Sequence, residues 1–280
     1  MITIAKLIDE GAEKLTAAGI DEPQVHSELI CAFVLNKSRT YVRAFNQNLV
    51  VDKQENLFRT ILDEKLKGRP LAHIIGSCEF MGRIYNVSPS VLIPRPETEE
   101  LIEESLKQLK MRLPNSVLDL CTGSGCVAIS LAFLFHHAQI TATDISQQAL
   151  DTALINARNL NVAKRINFIK SDLFNNIDKT FDFIISNPPY IPSDIIKTLS
   201  PEVLCEPMIA LDGGKDGLDI IAKIADEASF YLNPKGLLAL EIGCGQAPKV
   251  VEFFKEDTWL TPQVVKDFAG IERFVFVRRK

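Results

Sequence analysis

The chain has 280 residues, 46% of them hydrophobic, and a formal net charge of −5, enough for one large or two ordinary domains with a sizeable core. It has no run of about 18 apolar residues and no basic, apolar leader, so neither a membrane span nor a signal peptide is expected, and the acidic balance argues against tracking a nucleic-acid backbone. The six cysteines, Cys31, Cys78, Cys121, Cys126, Cys205 and Cys244, form no C-x-x-C pair and have no histidine at ligand spacing, so reduced thiols, no metal site and a cytoplasmic protein are expected.

Up to about Phe80 the apolar residues recur at helical steps: Ile4, Leu7, Ile8, Leu15; then Val25, Leu29, Ile30, Phe33; then Leu57, Ile61, Leu62, Leu66. Pro23 opens the second helix, and Asp52 with Glu55 three residues on reads as an N-cap. Residues 1–78 are thus expected to form a small helical domain. From the pattern alone it is either a recognition module or a solvated helical cap. Gly68-Arg69-Pro70 and Gly76 break the helical period. Phe80 to Val87, with Gly82 at its centre, predicts a β-hairpin linker over 79–94. Pro96 then suits the first turn of a helix through Leu101, Ile102 and Leu106.

Over 95–280 strands and helices alternate. Strands are expected at Val117–Leu120, Ile140–Asp144, Ile166–Ile169, Phe181–Ser186 and Gly236–Ile242, with helices at Val127–His136, Gln147–Leu160, Leu218–Leu232 and Pro248–Phe254. Val264–Asp267 and Phe274–Arg278 read as an edge hairpin. Repeated β-α-β units define an α/β fold with a Rossmann-like, doubly wound sheet.

Asp119-Leu120-Cys121-Thr122-Gly123-Ser124-Gly125 joins the first strand to its helix, a context in which Gly123 and Gly125 let backbone approach a ligand. Asp144 ends the next strand, where a carboxylate can accept both hydroxyls of a ribose. Gly123, Gly125 and Ala128 also satisfy the dinucleotide pattern G-x-G-x-x-A, which stays open on the loop alone. Asp119 weighs against it, because a carboxylate there suits a ligand ammonium and repels pyrophosphate. A turn-capping Asp119 is the lesser alternative.

Ser186-Asn187-Pro188-Pro189-Tyr190 stops the fourth strand, since two prolines cannot continue a ladder. The lone pair of a planar –NH₂ group is delocalised, which makes the nitrogen a poor nucleophile. The side-chain oxygen of Asn187 and the backbone carbonyl of Pro188 can accept its two N–H bonds, and Tyr190 offers a ring face. A strand-stopping turn with no further role is the bland alternative. His26, His73, His136 and His137 show no ligand spacing, and Asp212 to Gly217 reads as a surface turn.

Together these motifs make the chain resemble, over almost its whole length, the peptide-chain release factor N5-glutamine methyltransferases, the PrmC or HemK family. The resemblance rests on Leu92-Ile93-Pro94-Arg95-Pro96-Glu97-Thr98-Glu99, Pro70-Leu71 with Ile75-Gly76, Ser186 to Ile191, Glu206-Pro207 with Ala210-Leu211, and Glu241-Ile242-Gly243. Asn-Pro-Pro-Tyr alone is shared with DNA and RNA amino-methyltransferases, which remain the alternative; the Pro-Arg-Pro-Glu-Thr-Glu block is more specific.

The resemblance implies a class I methyltransferase sheet. It also implies S-adenosylmethionine (AdoMet) as cofactor, S-adenosyl-L-homocysteine as product, and methylation of the Gln in a release factor's Gly-Gly-Gln loop, with the N-terminal domain recognising the release factor. Asn187, Pro188 and Tyr190 are the implied catalytic groups, and Pro189 and Arg95 join them as substrate contacts. Asp119, Cys121, Thr122, Gly123, Ser124, Gly125, Asp144, Asp172, Leu173 and Asn187 are the implied cofactor contacts. Direct in-line transfer without metal or covalent enzyme intermediate, by a monomer that binds neither membrane nor nucleic acid, completes the expectation. The chain departs from the family at two places. Cys121 stands where the family has Gly, which predicts an ordinary negative φ here. Leu173 replaces an aromatic near the adenine, with Phe174 as the neighbouring ring.

Overall fold

A computed structural model describes residues 1–110 and 112–280. The chain divides into two compact units, 1–76 with 200–205, and 77–199 with 206–280. In the first unit, β1 (Ile2–Thr3) and β2 (Leu49–Val50) form a short antiparallel pair, and five helices follow the apolar periodicity: α1 (Ile4–Ala17), α2 (Pro23–Leu35), α3 (Arg39–Ala44), α4 (Asp52–Leu66) and α5 (Leu71–Ile75). Leu7, Ile8, Leu15, Ile30, Phe58 and Leu62 meet in its core. The N-cap of α4 is Val51, not Asp52: Gln54 Oε1 accepts from the Val51 N–H at 3.3 Å, and Asp52 and Glu55 lie in the first turn, where the helix dipole favours them. The 200–205 segment belongs to this unit, with Glu202 paired to the buried Lys65.

The second unit opens with the hairpin β3 (Ser77–Phe80) and β4 (Arg83–Asn86). Its two turn residues, Met81 and Gly82, both have positive φ, as a tight two-residue hairpin demands. Helix α6 (Pro96–Leu109) follows, with Pro96 at its first position. The rest alternates: β5 (Ser116–Leu120), α7 (Cys126–Leu134), β6 (Gln139–Asp144), α8 (Gln147–Asn159), β7 (Ile166–Lys170), β8 (Phe181–Ser186), α9 (Asp219–Tyr231), β9 (Leu232–Glu241), α10 (Ala247–Glu252), β10 (Gln263–Lys266) and β11 (Glu272–Arg278).

Among the described residues these strands form a seven-stranded sheet in the order β10-β11-β9-β8-β5-β6-β7, parallel from β9 to β7, with β11 antiparallel to both its neighbours. The expected edge hairpin is therefore half right. Only β10 is at the edge, because Phe274-Val275-Phe276-Val277 is buried on both faces and β11 pairs on both sides. Alternate residues feed two cores. Val117, Phe183 and Ile185 face one layer with α7, and Leu118, Leu120, Ile184 and Leu238 face the other with α9. From β5 the chain winds outward to β7, then crosses back to place β8 on the other side of β5. The carboxyl ends of β5 and β8 thus flank the point where strand order reverses, which is where open α/β sheets bind ligands.

Candidate active site

At the end of β5 the backbone turns through Cys121, Gly123 and Gly125, with φ of 60°, 55° and 80°. Gly125 is required twice over: its φ is left-handed, and an added Cβ would lie 2.8 Å from the Ala153 Cβ. As the N-cap of α7, Gly125 brings no side chain to the helix end. Asp119 compensates from the preceding strand. Its Oδ2 accepts from the Ala128 N–H at 3.0 Å and the Thr122 hydroxyl at 2.6 Å, so the capping reading is the one its contacts support. Cys121 departs from expectation: its φ is positive although it carries a Cβ. The turn is fixed around it by the Asp119 contacts and by the Thr122 N–H reaching the Thr143 carbonyl at 2.9 Å.

Asp144 ends β6 beside this loop. The Gly123 N–H donates to its Oδ2 and the Ser146 N–H to its Oδ1, each at 2.9 Å, leaving each oxygen further acceptor capacity. Burial raises the Asp144 carboxyl above the usual range, and these backbone donors partly offset it.

On the other side of the reversal, β8 pairs with β5 in register, Ser186 opposite Leu120, and the Ser186 hydroxyl donates to the Leu120 carbonyl at 2.8 Å. The chain then leaves the sheet as Asn187-Pro188-Pro189-Tyr190. Asn187 Nδ2 donates to Thr98 Oγ1 at 2.9 Å. Thr98 donates to Glu241 Oε2 at 2.7 Å, and the Tyr190 hydroxyl to Glu241 Oε1 at 3.2 Å. Glu241, at the end of the neighbouring strand β9, is pushed up to about 7 by burial, against the donors from Thr98 and Tyr190 and the Arg273 charge. The Tyr190 carbonyl accepts from Gln246 Nε2 at 2.9 Å. The 212–217 turn is more than surface: Gly213 lies so close to the motif that a Cβ there would meet the Pro189 carbonyl oxygen and Tyr190 Cα at 2.8 Å.

These ends enclose a cavity of about 610 Å³, within the range of small-molecule sites. Of the residues expected at the site, Cys121, Gly123, Asp144, Asp172, Leu173, Asn187 and Pro189 line it. Asp119, Thr122, Ser124, Gly125, Pro188, Tyr190 and Arg95 are not among its lining residues. Arg95 pairs with Glu206 at 2.5 Å, and Glu206 also accepts from the Ile93 N–H at 2.9 Å. Phe174 does not stand in for the missing aromatic. It is fully buried and stacks on Tyr231, with ring centroids 4.5 Å apart. Ile145 and the 207–210 segment supply apolar wall instead.

Thr98 and Glu241 lie in family-like blocks of the sequence, but the sequence alone assigns them no role. The available signal is the acidic Glu241 closing the apolar run Leu237 to Leu240; that Leu240 pairs with Ser186 is seen only in the folded sheet. Charge decides which ligand fits: among the described residues four carboxylates, Asp144, Asp172, Asp212 and Asp219, line the cavity against one cation, Lys223. Such a lining suits a sulfonium and an ammonium and repels a pyrophosphate, which sets the dinucleotide alternative aside.

A doubly wound sheet with an acidic cavity at its switch point is the architecture of a class I AdoMet-dependent methyltransferase. Residues 101–199 match the methyltransferase small domain and 6–76 the PrmC N-terminal domain. The same fold occurs in a methyltransferase from Pyrococcus furiosus (TM-score 0.53, 21% identity, 72% of this chain and 90% of that one). It occurs also in a Thermus thermophilus 16S rRNA N2 G1207 methyltransferase in complex with AdoMet and guanosine (TM-score 0.53, 18% identity, 73% of this chain and 50% of that one). Full-length relatives are closer. The release factor glutamine methyltransferase of Nitratidesulfovibrio vulgaris is 37% identical over 99% of this chain and 95% of its own. That of Moorella thermoacetica is 34% identical over all of both chains, and that of Thermodesulfovibrio yellowstonii 39% over 90% of this chain and 91% of its own. The chain belongs to the release factor glutamine methyltransferase family.

Proposed function

We propose that the protein transfers the methyl group of AdoMet to the side-chain amide nitrogen (N5) of the glutamine in the Gly-Gly-Gln loop of peptide-chain release factors. The observation that carries this reading is Asn187, an amide held on the wall of an acidic cavity with its Nδ2 already bonded to Thr98. Its Oδ1 is thereby the end available to an incoming –NH₂ group. The 33–39% identity to full-length release factor glutamine methyltransferases supports the choice of a protein glutamine over a nucleobase, as does the net charge of −5.

When bound, AdoMet supplies an electrophilic methyl carbon on a positively charged sulfur. Asp144 is the group assigned to its ribose hydroxyls, Ile145 and Leu173 to the faces of its adenine, and Asp172 to the adenine edge. Asn187 Oδ1 accepts one N–H of the glutamine amide and the Pro188 carbonyl accepts the other. Both orient the nitrogen and draw electron density onto it. A carboxylate in place of the amide would leave both acceptors without donors, a mismatch that such a site rejects by roughly 10⁴-fold. The amide proton leaves once the nitrogen has gained its methyl group and become acidic. We assign residues 1–78 to release-factor recognition and 95–280 to transfer, in a monomer acting in the cytoplasm.

The test is incubation with labelled AdoMet and a release factor, beside the release factor's Gln→Glu variant and duplex DNA. Label is expected on the unmodified release factor alone. Label on DNA alone would replace this reading with nucleobase methylation.

A further inference from the structure

Thr98 and Glu241 lie behind the cavity wall, and neither is among the residues assigned above to cofactor or substrate. Yet both are almost completely buried, 3% and 1% exposed, in a line that ends on Asn187. A threonine hydroxyl has one proton to give. At Thr98 it is given to Glu241 Oε2 at 2.7 Å, while the other oxygen of Glu241 is occupied by the Tyr190 hydroxyl at 3.2 Å. With its proton committed, Thr98 Oγ1 meets Asn187 only as an acceptor. An amide facing an acceptor must present its –NH₂ end, and Nδ2 lies 2.9 Å away. The opposite end, Oδ1, is then the one offered to the cavity that Asn187 lines. Reversing the amide would set two oxygen lone pairs against each other at Thr98 and present a donor to an incoming –NH₂ group, itself a donor.

We propose that Thr98, backed by Glu241, is the positioning residue that fixes the orientation of the Asn187 amide, so that the site presents an acceptor and selects substrates carrying an –NH₂ group. The inference rests on the reading of Asn187 as the group that meets the glutamine amide. It gives two segments distant in the chain one purpose: α6 contributes the hydroxyl and β9 the carboxylate that holds the hydroxyl's proton. It also gives the Tyr190 hydroxyl a task, that of second donor to Glu241.

The test compares Thr98→Val, which keeps the shape and removes the hydroxyl, with Thr98→Ser, which keeps the hydroxyl. In the ligand-free protein labelled with ¹⁵N-asparagine, the Asn187 side-chain amide resonance, assigned by its absence in Asn187→Ala, should shift and lose protection from solvent exchange in Thr98→Val. In Thr98→Ser it should stay near its wild-type position. With AdoMet and a release factor, Thr98→Val should lose on the order of 10²-fold in kcat with little change in KM, as for one oriented transition-state hydrogen bond, and Thr98→Ser should recover most of it. Thr98→Ala gives the same comparison if Thr98→Val does not fold.

Wild-type kcat without the hydroxyl overturns the inference. So does equal loss in Thr98→Ser, which would assign the effect to methyl packing. Wild-type protein that labels no release factor removes the underlying reading itself, an outcome distinct from either.

Discussion

Asp119 on β5 and Glu241 at the end of β9 flank the strand that delivers Asn187, and burial pushes both carboxyls up to about 7. Their partners differ. Asp119 is held by the Ala128 N–H and by a hydroxyl of its own loop, so its charge completes the start of α7. Glu241 is held by two side-chain hydroxyls from distant segments, and one of them leads to a residue on the cavity wall. A perturbed pKa alone would rank the two equally as functional candidates. The donors separate these two: those of Asp119 belong to its own loop and helix start, whereas a hydroxyl on Glu241 leads on to Asn187 in the cavity wall.

The largest expected effect tests the site arm of this contrast. Asn187→Ala should reduce kcat by roughly 10²–10³ while AdoMet still binds, read as turnover of labelled AdoMet on a release factor beside equilibrium binding of the same label. Near wild-type turnover would leave Glu241 and Thr98 with nothing to position. The scaffold arm is tested by Asp119→Ala, which leaves the buried Ala128 N–H without its acceptor and should lower unfolding free energy by about 1–3 kcal/mol in urea titrations. Unchanged stability with lost AdoMet affinity would instead restore the ammonium contact expected from the sequence.

pH sharpens the same comparison. The ordinary carboxyl values are 3.8 for Asp119 and 4.5 for Glu241, and both rise to about 7 in the folded chain. Between those values the native state holds protons that the unfolded state has released. Each group's stabilisation is therefore complete below its ordinary value and is lost as pH rises through about 7. Glu241→Gln removes one such group, so its Tm relative to wild type should improve as pH is raised from about 5 to 8. A constant Tm difference over that range would mean that Glu241 keeps one protonation state throughout. The kcat of wild type should rise with pH over the same interval, because ionised Glu241 holds the Thr98 proton; Tyr190, Arg273 and Glu97 are the titratable or charged groups that act on it.

Much of this was legible in the sequence for physical reasons. The strands β5 to β8 are short apolar runs with breakers at both ends, and two prolines after Asn187 fixed where β8 stops. Asp144 was legible because strand ends and glycine loops follow one topology. What could not be read were bonds closed by tertiary geometry. Arg95 turned to Glu206, more than a hundred residues away in the chain, and the Thr98–Glu241 link spans a comparable distance. The 212–217 turn reads as surface because its composition is polar, yet Gly213 and Gly217 let backbone press on Pro189 and Tyr190. A carboxylate ahead of a glycine loop reads as ligand group or turn cap alike, and the cap that Asp119 makes to Thr122 and Ala128 comes only with the fold.

Cys121 is the place where the loop after β5 and its scaffold disagree, and it carries the smallest expected effect. Its φ of 60° lies in the region where a Cβ crowds the following carbonyl, and its side chain packs against the core layer that contains Leu120 and Ile184. Cys121→Gly relieves a conformational cost of about 1–2 kcal/mol. Against that stand the added freedom of the unfolded chain, about 0.5–1 kcal/mol, and the lost packing of a small side chain. The balance is a gain of no more than about 1 kcal/mol, read by urea denaturation. Because Cys121 lines the cavity and Asp119 does not, the same variant should also change AdoMet affinity, opposite in pattern to Asp119→Ala. A clear loss of stability in Cys121→Gly would mean that the packing of the thiol beside Ser186, and not the cap at Asp119, holds the turn in its left-handed form.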